Sequence, residues 1–231
     1  MITVKTIRER RSVREYDGGP LDQAEFDALG AVVEECARES GLDIQLVGDN
    51  PEVFNVIARF GLIRGCRMHI AFVVDDAKAG DVAADEAIGY WGQKIVLAAQ
   101  DMGLNTCWCA LFSRKKSHAV VVPGKKVRLV IAVGHGKTQG FSRKTKSVEA
   151  LSSVECAKAP AWFAAAMEAA QLAPTAMNNQ NFKITLLSDG KTVRIDAPQS
   201  GLNVIDEGIV RCNFEIAANE AGADWRWERD I

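Results

Sequence analysis

Residues 68–110, MHIAFVVDDAKAGDVAADEAIGYWGQKIVLAAQDMGLNTCWCA, hold the pattern that decides the fold. Met68 to Val74 is apolar and β-branched apart from His69, and it is bounded by Arg67 on one side and Asp75 and Asp76 on the other. Such a run predicts a central strand. From Asp81 to Met102 the positions Ala84, Ala87, Ile88, Trp91, Ile95, Ala98, Ala99 and Met102 recur at helical spacing and stop at Gly103. The small residues in that broad stripe predict close packing against a neighbouring element. Asn105 to Ala110 then reads as a short buried strand.

Outward from this block the same alternation of strands and helices continues. On the N-terminal side, Leu21 to Glu39 repeats apolar residues at Leu21, Phe26, Leu29, Val32, Val33 and Cys36 and ends at Gly41, which predicts an amphipathic helix. Leu42 to Val47 alternates weakly, as an edge strand would, and Pro51 starts a short helix expected to run to about Phe60. On the C-terminal side, Val127 to Val133 is a strand halted by Gly134-His-Gly136. Pro160 to Leu172 is helical and is ended by Pro174. Phe182 to Leu187 and Thr192 to Asp196 read as a hairpin, and Asp206 to Ala221 as a last helix. The main strands are separated by helical or irregular sequence, which predicts an α+β fold whose sheet is covered by helices.

With 231 residues the chain is long enough for one α/β body with a large core. Lys plus Arg number 28 against 30 Asp plus Glu, a net charge of -2, so bulk electrostatics favour neither nucleic acid nor an anionic membrane. Any anion site must be local. The six cysteines, Cys36, Cys66, Cys107, Cys109, Cys156 and Cys212, lie scattered in apolar segments, as reduced buried thiols of a cytoplasmic protein would. With only three histidines, no zinc site is expected, and no apolar run approaches the length of a membrane span.

Four stretches could carry chemistry. Arg10, Arg11 and Arg14 beside Ser12 offer guanidinium forks and a hydroxyl to phosphate, ribityl or pyrimidine oxygens; in an extended segment Arg10, Ser12 and Arg14 point one way and Arg11 the other. Leu172-Ala-Pro-Thr-Ala-Met-Asn-Asn-Gln180 places a rigid turn and then Thr175, Asn178 and Gln180 just beyond a helix, where donors and acceptors suit the edge of a uracil-like ring. Gly103 to Trp108 enters a buried strand and has backbone N–H groups rather than acids or bases to offer. Arg143, Lys144 and Lys146 lie in the polar loop TQGFSRKTK (138–146) and could complete a phosphate site. Read singly, each stretch has an ordinary role as its default or its equal: a solvated basic run, an Asn-rich turn, a helix stop or exposed lysines.

Taken together, the ordered set resembles the nitroreductase family over most of the chain. Arg10-Arg-Ser-Val-Arg14 is similar to the family's RRS[VI]R flavin signature, Pro174 to Gln180 to its PSxxNxQ segment, Tyr90 to Trp108 to its long helix and following strand, and Arg143-Lys144 to its late basic pair. The resemblance implies a nitroreductase-like fold, a central and mainly antiparallel sheet surrounded by helices, and FMN as cofactor. It assigns Arg10, Arg11, Ser12 and Arg14 to phosphate, ribityl and ring contacts, Arg143 and Lys144 to the phosphate, and Thr106 and Cys107 to the ring through their backbone. Pro174, Thr175, Ala176, Asn178 and Gln180 would meet the flavin from the other side. The Pro174 segment follows the first long helix directly in ordinary members and stands in the last third here; that displacement, together with the stretch from Asp206 to Ala218, resembles a rearranged subgroup in which one chain would supply both sets of contacts. Thr175 replaces the family's serine and keeps its hydroxyl; Asn181 and Phe182 replace its Pro-Trp, and Gly134-His-Gly136 its Gly-Tyr-Pro.

The implied activity is transfer of reducing equivalents from NADH or NADPH through FMN to an electron-poor small molecule such as a nitroaromatic, a quinone or free flavin, in a cytoplasmic monomer or homodimer. No catalytic side chain is assigned, because solvent can supply the protons. A non-catalytic flavin- or nucleotide-binding protein, and a flavin-dependent dehydrogenase or dehalogenase on the same fold, are the alternatives. The expected organisation is a single domain over 1–231, with an internal quasi-two-fold division at about 1–147 and 148–231 left open.

Overall fold

A computed structural model describes residues 2–55, 63–154 and 158–229. In chain order the elements are α1 (Val4–Glu9), α2 (Gln23–Ser40), β1 (Asp43–Val47), β2 (Met68–Asp75), α3 (Val82–Asp101), β3 (Asn105–Cys109), β4 (Lys125–Gly134), α4 (Val148–Leu151), α5 (Ala161–Gln171), β5 (Lys183–Leu186), β6 (Thr192–Asp196), α6 (Leu202–Glu220) and β7 (Arg226–Trp227). The fold is α+β with mainly antiparallel pairing. The chain divides into two compact units, Arg10–Ala79 with Ile95–Ser142, and Met1–Glu9 with Gly80–Lys94 and Arg143–Ile231.

The first of these units is built on a four-stranded sheet of order β1-β2-β4-β3, antiparallel at each step. β2, held between β1 and β4, is buried from Met68 to Val74, so both of its faces are covered, the condition under which a strand reads as a continuous apolar run. His69, the polar exception, has no exposed surface, and its Nε2 lies 3.0 Å from Ser117 Oγ. Burial and the neighbouring His118 push its pKa down to about 4, so it is neutral in the core. α2 starts with a reciprocal capping box: Asp22 Oδ1 accepts from Glu25 N at 2.8 Å, and Glu25 Oε2 accepts from Asp22 N at 3.0 Å. It ends on Gly41, which takes the left-handed conformation at φ 69°. The helix expected from Pro51 is a single 3₁₀ turn, Pro51–Phe54; the rest of that expectation, to Phe60, lies outside the described residues.

The second unit packs α5 and α6 together beside a three-stranded sheet of order β5-β6-β7. β5 and β6 form the expected antiparallel hairpin, and β7 adds a short parallel partner. The N-terminal part of α3 crosses α6 at two glycines. A Cβ on Gly89 would stand 2.0 Å from the Ile205 carbonyl oxygen, and one on Gly208 would stand 2.0 Å from the Glu86 carbonyl oxygen. Backbone approach this close admits only glycine. Beside the crossing, Arg211 donates to Glu86 (Nη1 to Oε1, 2.6 Å), both side chains being 1% exposed, while Arg229 bonds Glu86 and Glu207 from the surface side. A buried ion pair of this kind contributes little net stability, but removing one partner strands the other charge.

Among the described residues, no helix is long and apolar enough to cross a membrane and no group of three or more His, Cys, Asp or Glu could hold a metal ion. Cys36, Cys66, Cys107, Cys109 and Cys212 are buried; Cys156 lies outside the described residues.

Candidate functional site

The arginine-rich segment leaves α1 at Glu9 and runs extended along the free edge of β3. Val13 N donates to the Thr106 carbonyl at 3.0 Å, Ser12 bridges Thr106 in parallel, and Tyr16 bridges Gly136. The apolar members anchor it: Val13 and Tyr16 are each 2% exposed. Arg10 is buried with Nη1 3.5 Å from Ser12 Oγ, whereas Arg11 and Ser12 are half-buried and Arg14 is exposed. Arg10 and Ser12 therefore share a side, as an extended segment requires, and Arg11 Nη1 turns back to the Arg10 carbonyl at 2.9 Å.

The loop after β4 closes on the same place. Asn105 takes both ends of its carboxamide to that loop: Oδ1 accepts from Gly136 N at 2.9 Å, and Nδ2 donates to Gln139 Oε1 at 2.9 Å. Gly140, at φ 78°, passes so near that a Cβ would stand 2.7 Å from Arg11 Cβ. Thr106 and Cys107 are buried in β3 behind this segment. The nearby thiols are not reactive: burial pushes Cys66 up to about 12, and hydrogen bonding to Cys107 together with burial raises Cys109. Arg10, Arg11, Ser12, Arg14, Thr106 and Cys107 thus form one neighbourhood within one unit.

The remaining residues form a second neighbourhood, in the other unit. α5 ends at Gln171, Pro174 breaks the helix, and the chain then takes left-handed conformations at Met177 (φ 53°), Asn178 (φ 56°) and Gln180 (φ 45°). Non-glycine residues in that region are strained, and three within four positions need external restraint. The restraints are specific. Thr175 Oγ1 accepts from Gln180 N at 3.0 Å, and Asn178 Nδ2 donates to the Lys144 carbonyl at 2.8 Å. Gln180 Oε1 accepts from Lys146 N at 2.7 Å, Gln180 Nε2 donates to the Gln171 carbonyl at 2.9 Å, and Lys146 Nζ reaches the Gln180 carbonyl at 2.9 Å. Asp206, on α6, accepts the Ala176 N–H with both carboxylate oxygens at 2.9 Å.

The carboxamide segment and the basic segment, far apart in sequence, are therefore stitched into one surface. Pro174 and Thr175 are buried, Ala176, Asn178 and Arg143 half-buried, and Lys144 and Met177 exposed, Met177 at 85%. The Gln180 carboxamide is occupied by protein partners at both its oxygen and its nitrogen, which makes it a brace for the loop. Asn105 and Asp206 hold the two neighbourhoods in shape; the sequence places them in the Gly103 to Trp108 and Asp206 to Ala218 stretches without giving either a role of its own. Each is an ordinary polar residue inside a predicted strand or helix, and only its long-range partner reveals its use.

Comparison with protein families matches residues 3–218 to the family described as "Putative TM nitroreductase". Comparison with curated proteins gives no match. Among solved structures, a "putative nitroreductase" of Thermotoga maritima superposes with a TM-score of 0.66 at 20% identity, covering 100% of this chain and 90% of the other. A "putative nitroreductase" from Desulfovibrio desulfuricans, solved in complex with FMN, gives a TM-score of 0.51 at 20% identity and covers 66% of this chain and 95% of its own. A "Putative NADH dehydrogenase/NAD(P)H nitroreductase" from Parabacteroides distasonis gives 0.50 at 21% identity, with 66% and 95% covered. At these identities the structures speak for the fold alone, while the family match spans nearly the whole chain. The chain belongs to the "Putative TM nitroreductase" family, within the nitroreductase-like superfamily.

Proposed function

We propose that this protein is an FMN-dependent oxidoreductase that takes reducing equivalents from NADH or NADPH and delivers them to a small electron-poor acceptor. The observation that carries the reading is the joining of the strained Thr175–Gln180 loop to the basic 143–146 segment through Asn178 and Gln180. Amide groups held beside basic side chains are the kind of donor set that a flavin mononucleotide requires, which supports the reading. The displaced position of the loop in the chain is the mark of a rearranged subgroup.

FMN, when bound, supplies the redox centre that couples the nucleotide donor to the acceptor. The protein's share is binding and orientation. Arg10, Arg11 and Arg14, with Ser12, are suited to a phosphate and the ribityl chain, and Arg143 and Lys144, in the other unit, are suited to a phosphate. Thr175, Ala176 and Asn178 would present donors and acceptors to the ring, with Pro174 and Gln180 fixing the loop's course. Thr106 and Cys107 would meet the ring through their backbone. The Cys66 and Cys109 thiols, held protonated, stay out of the chemistry.

Titrating the protein with FMN and following quenching of flavin fluorescence tests the assignment. Arg14→Ala and Asn178→Ala should each weaken binding, by about 2 kcal/mol for Arg14 if its charge-assisted bonds form on binding. Folded variants that bind FMN as tightly as the wild type would remove these residues from the site.

A further inference from the structure

The left-handed loop has a restraint reaching it from α6, and that restraint is a carboxylate. Asp206 is 8% exposed, yet both of its oxygens are directed to a single backbone donor, the Ala176 N–H, at 2.9 Å each. A buried carboxyl group is costly unless it is well compensated. Ala176 is the first residue after Thr175, and the strained Met177 and Asn178 follow it directly. A clamp at this point fixes the residue from which the strained turn departs.

We propose that Asp206 is the positioning residue of this loop, clamping Ala176 so that Thr175 and Asn178 stand ready for the flavin before it arrives. This deepens the flavin reading and rests on it. The clamp survives protonation of the carboxyl group, because the carbonyl oxygen of the acid still accepts from Ala176 N. An asparagine can therefore replace the aspartate, whereas a leucine of similar size cannot. Burial raises the Asp206 pKa to about 7, with the Ala176 hydrogen bond opposing the shift, as expected of a group kept for its acceptor atoms rather than its charge.

The test uses the full chain with Asp206→Asn and Asp206→Leu. Hydrogen exchange of the 172–182 backbone is measured without flavin, and FMN affinity is measured separately by fluorescence quenching. The expected result is wild-type loop protection and affinity in Asp206→Asn. Asp206→Leu should still fold, yet show faster exchange at Ala176 to Asn178 and about tenfold weaker FMN binding. Wild-type exchange and affinity in a folded Asp206→Leu protein would overturn the proposal. If the wild type binds no FMN but the exchange contrast is present, the clamp stands and the flavin reading falls.

Discussion

A carboxyl group whose pKa is raised by burial leaves a signature in stability. The Asp206 proton is held up to about pH 7 in the folded chain, against an ordinary value near 3.8. Between those values the unfolded chain has released a proton that the folded chain keeps, so stability falls as pH rises and the penalty is complete above about 7. Asp206→Asn has no proton to lose there. Thermal unfolding from pH 4 to 8 should show the asparagine variant gaining on the wild type through this window and holding its advantage above it; parallel curves would mean that Asp206 titrates normally. Side chains of this kind are the least legible part of the sequence. The arginines at 10, 11 and 14 and the amides at 178 and 180 announce themselves by type and spacing. Asp206 and Asn105 do not, because their meaning lies in partners 30 or more residues away.

The helices and strands follow local pattern closely where the pattern is long. The stripe from Asp81 to Met102 gives α3 within one residue at each end, and the apolar run from Met68 gives β2. Short pieces escape it. α1 holds only six residues beside a basic run, and β7 has two, paired to β6 by position rather than by any alternation of its own. The left-handed turn at 177, 178 and 180 was equally invisible, since none of its residues is glycine and its conformation is imposed by bonds to Lys144, Lys146 and Thr175. The small residues of α3 did predict close packing, and Gly89 and Gly208 are where it occurs. Gly208→Ala places a methyl group against the Glu86 carbonyl and must push α3 and α6 apart. Its cost should reach about 3 kcal/mol, read as a lowered midpoint in denaturant unfolding. An unchanged midpoint would show that the helices do not cross this closely.

The two units are assembled from interleaved segments, so neither could be recognised as a block of sequence: α3 divides between them at Lys94 and Ile95, and the first nine residues belong with the last eighty-nine. What the sequence conveyed at this level was an ordered set of motifs, and the family match over residues 3–218 agrees with it. Donor preference and acceptor identity were not legible, because they depend on the shape around a bound cofactor rather than on residue type. The account turns on the protein binding FMN as a working redox centre. Adding NADH or NADPH anaerobically to the FMN-loaded protein should bleach the flavin's visible absorption band, and a quinone or nitroaromatic added afterwards should restore it. A flavin that stays oxidised with both nucleotides would contradict the account.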